Sequence, residues 1–156
     1  MRRRGKVPSS RLLEAGLREP TPDEAEALDL GPGDRLVSIS RVRLADDIPI
    51  AIEHATLPVE CAAVLAADLE TGSLHEALID LARYPSTAQS AITARAASAD
   101  EARLLDVAHR SPLLVERRRI HDAHGFPLEY TETIYAPERY VIDASFAWAP
   151  KDGRTV

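Results

Sequence analysis

Apolar and polar positions along the chain change their period several times, and each change predicts an element. Ser10 to Arg18 alternates loosely, which predicts a strand ended by Glu19-Pro20. Thr21-Pro22-Asp23-Glu24 is a capping box with proline at the first helical position, so a helix is expected to about Leu30, before Gly31-Pro32-Gly33-Asp34 stops it. Leu36 to Leu44 and Ile48 to Leu57 predict two strands folded about Ala45-Asp46-Asp47, with Pro58 closing the second. Val59 to Leu69, rich in Ala and Leu, predicts a helix. Ser73 with Glu76 forms a second capping box, followed by an apolar stripe of Leu74, Ala77, Leu78 and Leu81. Tyr84-Pro85 ends that helix. Ala88 to Ala97 predicts a strand, and Ser98-Ala99-Asp100-Glu101 is a third capping box opening a helix to about Ala108. Leu113 to His121 and Phe126 to Tyr135 predict strands around Asp122-Ala123-His124-Gly125, where Gly125 suits a positive φ. Tyr140 to Trp148 predicts a last edge strand.

Part of this pattern is written twice. Asp23-Glu24-Ala25-x-x-Leu28-Asp29-Leu30 matches Asp100-Glu101-Ala102-x-x-Leu105-Asp106-Val107. Each is followed by a turn, an apolar pair (Leu36-Val37; Leu113-Leu114) and an Arg-x-Arg (Arg41 and Arg43; Arg117 and Arg119). Each then has an Asp-bearing turn, a proline (Pro49; Pro127) and a strand containing Glu. The repeat of helix, strand, hairpin and strand implies two equivalent hairpins in one antiparallel sheet, with helices packed on one side. The fold class expected is α+β, with a small-molecule cleft where the two halves meet.

The 156 residues suit one domain with a substantial core. Nineteen Lys and Arg stand against 25 Asp and Glu, a formal charge of −6, which argues against duplex DNA or an anionic membrane surface as a direct partner. Residues 1–8, opening Met1-Arg2-Arg3-Arg4-Gly5-Lys6, read as a basic arm or linker remnant; residues 9–149 read as the domain and 150–156 as a tail. No apolar h-region follows the arm, and no run of 18 apolar residues is present to span a membrane. The lone Cys61, set among Ala62, Ala63 and Val64, excludes an intrachain disulfide, fits a reducing cytoplasm and reads as a small core residue.

Candidate chemistry concentrates between Arg41 and Glu53. Arg41 and Arg43 share a strand face, and a three-residue hairpin loop places Arg41 opposite Glu53 and Arg43 opposite Ala51. Two guanidinium forks and one carboxylate could hold a small anion bearing hydroxyl or amino groups, although a solvated strand face with a cross-strand ion pair accounts for the same residues. The capped start of the helix at Ser73 is a second place where an anion can be received, with water or Glu76 as the plainer occupant. Enzyme signatures are missing. The five His residues show no metal-binding spacing, and there is no nucleophile elbow, phosphate loop or dinucleotide fingerprint. Catalytic residues, metals and cofactors are therefore not expected. Glu53 and Glu129 could act as acid and base only if burial raised a pKa, and neighbouring arginines would lower it.

Four motifs in order carry a family resemblance: Arg41-Val-Arg43-x-x-Asp-Asp-Ile-Pro49-Ile50-x-x-Glu53, Gly72-Ser73-Leu74, Gly125-Phe-Pro127-Leu128-Glu129-Tyr130 and Tyr135-Ala-Pro-Glu-Arg139-Tyr140. From about Ser10 to Trp148 the chain resembles the UTRA domain, the effector-binding half of GntR-type transcriptional regulators of the HutC subfamily. The resemblance implies a chorismate lyase-like antiparallel sheet with helices, a homodimer, and an effector that is a phosphosugar or a small carboxylate. It implies Arg41, Arg43 and Ser73 at the anionic end, and Glu53, Glu129 and Tyr135 at the polar body. It places DNA contact in an N-terminal winged helix-turn-helix that this chain does not carry. Asp47 stands where the family usually has Gly or Asn. The alternative function on the same fold is a lyase-type enzyme acting on a chorismate-like acid.

Overall fold

The structure, a computed structural model, describes residues 7–145; the Met1–Lys6 part of the basic arm and the tail from Pro150 to Val156 lie outside the described residues. Ten elements follow one another: β1 (Pro8–Arg18), α1 (Pro22–Ala27), β2 (Leu36–Ala45), β3 (Ile48–Pro58), a 3-10 helix (Val59–Ala66), α2 (Leu74–Asp80), β4 (Thr87–Ala96), α3 (Ala99–Leu105), β5 (Pro112–His121) and β6 (Pro127–Tyr135). The strands form one six-stranded sheet in the order β1-β2-β3-β6-β5-β4, every pairing antiparallel. This is the α+β architecture that the double pattern predicts.

The repeat is physical. The units β1-α1-β2-β3 and β4-α3-β5-β6 meet where β3 pairs β6. Their helix starts are built alike. Thr21 and Ser98 each accept from the backbone N–H of a glutamate three residues on, and Glu24 and Glu101 each return a bond to the cap's own N–H. In both units an arginine at the end of the preceding strand grips that glutamate with two nitrogens: Arg18 on Glu24 at 2.7 Å and 2.7 Å, Arg95 on Glu101 at 2.7 Å and 2.6 Å. One hairpin turns on Asp46-Asp47, both at positive φ (51° and 64°), and carries a bulge at Ile50 between the pairs Leu44↔Pro49 and Arg43↔Ala51. The other uses Gly125 at φ 82° and bulges at Leu128 between His121↔Pro127 and Ile120↔Glu129. Arg41 thus faces Glu53 and Arg43 faces Ala51 as expected, but through a two-residue turn plus a bulge rather than a three-residue loop.

The register corrects one equivalence. Ala51 and Glu129 are each the first residue beyond a bulge, so Glu53 corresponds to Thr131 and Arg41 to Arg118. Arg117 and Arg119, matched to Arg41 and Arg43 from the Arg-x-Arg spacing, point to the opposite face of the sheet.

Two apolar clusters cover opposite faces, so the helices are not confined to one side. Val37, Ile39, Ala55 and Leu57 of the sheet pack with Cys61, Val64, Leu69, Leu74 and Leu78. Ile52, Leu113, Val115 and Ile134 pack with Ala97, Ala102 and Leu105. Each fully buried Leu or Ile contributes roughly 1.5–3 kcal/mol by its removal from water. Cys61 lies in the first cluster, and burial pushes its thiol pKa up.

Some boundaries differ from expectation. The Val59–Leu69 segment is a 3-10 helix ending at Ala66, with no side chain capping its start at Pro58. Helix α1 stops at Ala27 and α3 at Leu105, because Asp29 and Asp106 take positive φ and turn the chain away. Only the Ser73 half of the second capping box forms. Residues 141–145 make no strand, and the rest of the expected Tyr140–Trp148 strand lies outside the described residues. Among the described residues no helix is long and apolar enough to cross a membrane.

Candidate functional site

Alternation along the strands brings one polar set to the face carrying α2. Arg41, Glu53, Thr133 and Glu116 lie in one row across β2, β3, β6 and β5. Arg43, Ala51 and Tyr135 occupy the next row on one side, and Thr131, Arg118 and Ser90 the next on the other, followed by Glu129 beside Ile120. Five of the six expected site residues therefore project from one sheet face. The sixth, Ser73, sits at the start of α2, which packs over that face through Leu74 and Leu78.

The two arginines do different work. Arg41 is 1% exposed; its Nε donates to Glu53 Oε2 at 2.9 Å, its Nη2 closes a second bond to the same oxygen, and its Nη1 donates to the Leu69 carbonyl at 3.0 Å. Arg43 is partly exposed and reaches the same Glu53 oxygen only as a 3.7 Å ion pair. Two cations thus share the Glu53 carboxylate. Arg43 also lines a cleft of about 320 Å³ with Ser10, Glu70, Thr71, Gly72, Ser73 and Glu76, so Arg43 and Ser73 face one space, which Glu70 shares. Gly72 is required there: a Cβ would sit 2.4 Å from the Asp68 carbonyl oxygen, which its N–H binds at 3.1 Å.

At the other end Glu129 is 3% exposed, accepts from the Thr131 hydroxyl, and meets His75 Nε2 at 3.2 Å. Burial works to raise the Glu129 pKa, but the bonds from His75 and Thr131 outweigh it and hold the group below the ordinary carboxylate value. The bond to Glu129 in turn raises His75 above the ordinary imidazole value. Tyr135 is buried, donates to Glu116 Oε2 at 2.9 Å, and stacks on Tyr140 with centroids 4.4 Å apart; burial first, then the Glu116 charge, pushes its phenol pKa up. Glu116 also accepts from Ser90 at 2.7 Å.

His75, Glu116 and Arg118 belong to this face although sequence spacing did not single them out. Arg118 was within reach: the separation that takes Asp23 to Asp100 and Leu36 to Leu113 takes Arg41 to Arg118. Arg117 and Arg119 instead line a cleft of about 530 Å³ on the other face with Asp23, Glu26 and Tyr130, and Arg117 pairs there with Glu132 at 2.7 Å. Among the described residues no group of three His, Cys, Asp or Glu side chains converges to hold a metal ion.

Comparison with known proteins places these features in a family context. The UTRA domain family matches residues 3–141. The chain is 32% identical over 145 residues to the HTH-type transcriptional repressor NagR of Bacillus subtilis (strain 168), covering 90% of this chain and 58% of that protein. PhnF from Mycobacterium smegmatis shares the fold with a TM-score of 0.87 at 20% identity, over 94% of this chain and 65% of that one. The ligand-binding domain of a GntR-family transcriptional regulator from Bordetella bronchiseptica superposes with a TM-score of 0.82 at 25% identity, over 90% of this chain and 91% of that one. The chain therefore spans less than two thirds of NagR and of PhnF.

Proposed function

Because the chain belongs to the UTRA domain family, we propose that it is the effector-sensing domain of a GntR-type transcriptional regulator of the HutC subfamily, and that it binds a small anionic metabolite without turning it over. The observation that carries this is the shared carboxylate: Glu53 serves two guanidinium groups, and the less buried one, Arg43, opens onto the cleft that holds Ser73. A phosphate or carboxylate entering there meets a guanidinium fork and a hydroxyl. In this reading Arg41 braces Arg43 and Glu53, while Glu53 and Glu129 accept from the hydroxyl or amino groups of the effector body. Tyr135 is a wall, since its hydroxyl is committed to Glu116.

The electrostatics favour holding over catalysis. A general acid needs a raised carboxyl pKa, and Glu129 is lowered. The domain acts in the cytoplasm as a homodimer, and DNA is contacted only through a DNA-binding domain outside this chain.

A thermal-shift screen with phosphosugars and small carboxylates tests the reading, because a ligand at 100 times its Kd stabilises by about 2.7 kcal/mol. Arg43→Ala is expected to abolish that gain while leaving the unliganded protein folded. Equal affinity of wild type and Arg43→Ala by calorimetry would remove the site assignment. Product formed from a chorismate-like acid would replace sensing with lyase chemistry.

A further inference from the structure

We propose that Arg118 is a second anion-binding residue on the sheet face that carries Arg43, and that the effector carries two acidic groups, one held at Arg43 and the other, a carboxylate or phosphate, at Arg118. The proposal rests on the effector-sensing reading above and concerns which member of the small-anion class the site selects.

The symmetry of the fold leads to Arg118. It is the counterpart of Arg41 in the second repeat unit, but the residue opposite it is Thr131 where Arg41 has Glu53. The cation is kept and its carboxylate is not. The two nearest carboxylates on its face are engaged elsewhere: Glu116 takes the hydroxyls of Ser90 and Tyr135, and Glu129 takes His75 and Thr131. Arg118 Nε is buried and has no hydrogen-bond partner among the described residues. An unpaired buried donor on a charged group is costly, and native proteins meet that cost where another molecule supplies the acceptor.

The surroundings confirm which way the charge acts. The Arg118 cation works to lower the pKa values of His75, Glu129 and Tyr135, so its field falls on the residues of this face. A guanidinium presents two parallel N–H groups to a carboxylate or phosphate, which gives the site orientation as well as charge. Strands β2 and β5 are separated by β3 and β6, roughly 14 Å at about 4.8 Å per strand spacing, and Arg118 lies four residues along β5 from Leu114, which shares the Arg43 row, so the two backbone positions stand roughly 20 Å apart.

Calorimetry with matched probes tests this on the intact chain: glucose 6-phosphate against 6-phosphogluconate, and butyrate against glutarate. Wild type is expected to prefer the doubly anionic member of at least one pair by tenfold or more. Arg118→Gln and Arg118→Met are expected to erase the preference and leave the weaker member's affinity unchanged, whereas Arg43→Ala loses both members. The melting temperature of unliganded Arg118→Met, which keeps the apolar stem, is expected to equal or exceed that of wild type. A preference unchanged in both Arg118 variants, with binding still lost in Arg43→Ala, would overturn the role of Arg118 and leave the sensing site standing. So would a Met variant that melts several degrees lower with its probe affinities intact. No binding of any probe by wild type would overturn both.

Discussion

Arg41 and Arg43 stand two residues apart and yet should respond differently to removal. Arg41→Ala leaves Glu53 facing a cavity and frees the Leu69 carbonyl, and breaking such a buried pair costs on the order of 3–5 kcal/mol. Arg43→Ala removes a partly exposed ion pair, expected to cost less than about 1 kcal/mol. Chemical denaturation of the two variants measures the contrast, and equal losses would show that both arginines brace the fold. His75 and Glu129 make a pH-dependent prediction. The His75 contribution is present in full below its unfolded value of 6.5 and fades as pH rises through its raised native value. The Glu129 contribution is present above 4.5 and fades as pH falls through its lowered native value. The melting-temperature gap between wild type and His75→Gln should therefore be widest between pH 4.5 and 6.5 and narrow on both sides. A gap independent of pH would mean that the imidazole acts through packing alone.

Among the elements, the helix starts are the best specified. Ser98 accepts from Glu101 N–H, and Glu101 is held down to about 2, first by the bond from Arg95, against burial. Ser98→Ala should cost about 1 kcal/mol. The Glu101 contribution should persist above its unfolded value of 4.5 and disappear only as pH approaches 2, which an acid titration of Glu101→Gln against wild type would reveal. The first hairpin stores a correctable strain: Asp47 has φ 64°, a region that costs a non-glycine residue about 1 kcal/mol or more. Asp47→Gly is expected to raise stability by a few tenths to about 1 kcal/mol, whereas Asp46 also accepts from the Val7 N–H and should not be exchanged. The motif ending Arg139-Tyr140 acts as a clamp. Arg139 donates to the carbonyls of Pro49, Leu105 and Asp106 at 2.8, 2.5 and 2.7 Å, tying the segment after β6 to the first hairpin and to the end of α3.

At the scale of the whole molecule, the two repeat units share a fold and have diverged in charge. The first keeps Arg41 with Glu53; the second keeps Arg118 and places Glu129 and Glu116 around it. The sheet ends in β4, whose ten residues are all exposed, an open edge of the kind that natural proteins cover or pair. The proposed homodimer predicts a sedimenting species of twice the 17.0 kDa chain mass; a concentration-independent 17.0 kDa species would refute it.

Much of this architecture was written locally. Proline and capping residues set the starts of α1, α2 and α3, and the runs between turn and proline signals set all six strands. The doubled pattern determined that two hairpins share one antiparallel sheet, and the Arg41–Glu53 pairing followed from spacing along one hairpin. Tertiary structure decided what spacing cannot carry. A one-residue change of register moves a side chain to the other face, so the counterpart of Arg41 in the second unit is Arg118 rather than Arg117 once bulges and turn lengths are known. His75 reached Glu129 across 54 residues of sequence through the packing of α2 on the sheet, and Glu116 reached Tyr135 through the pairing of β5 with β6, neither through any local signal. Burial did the rest: it made Arg41 a brace, left Arg43 facing a cleft, and stripped Arg118 Nε of water without giving it a partner among the described residues.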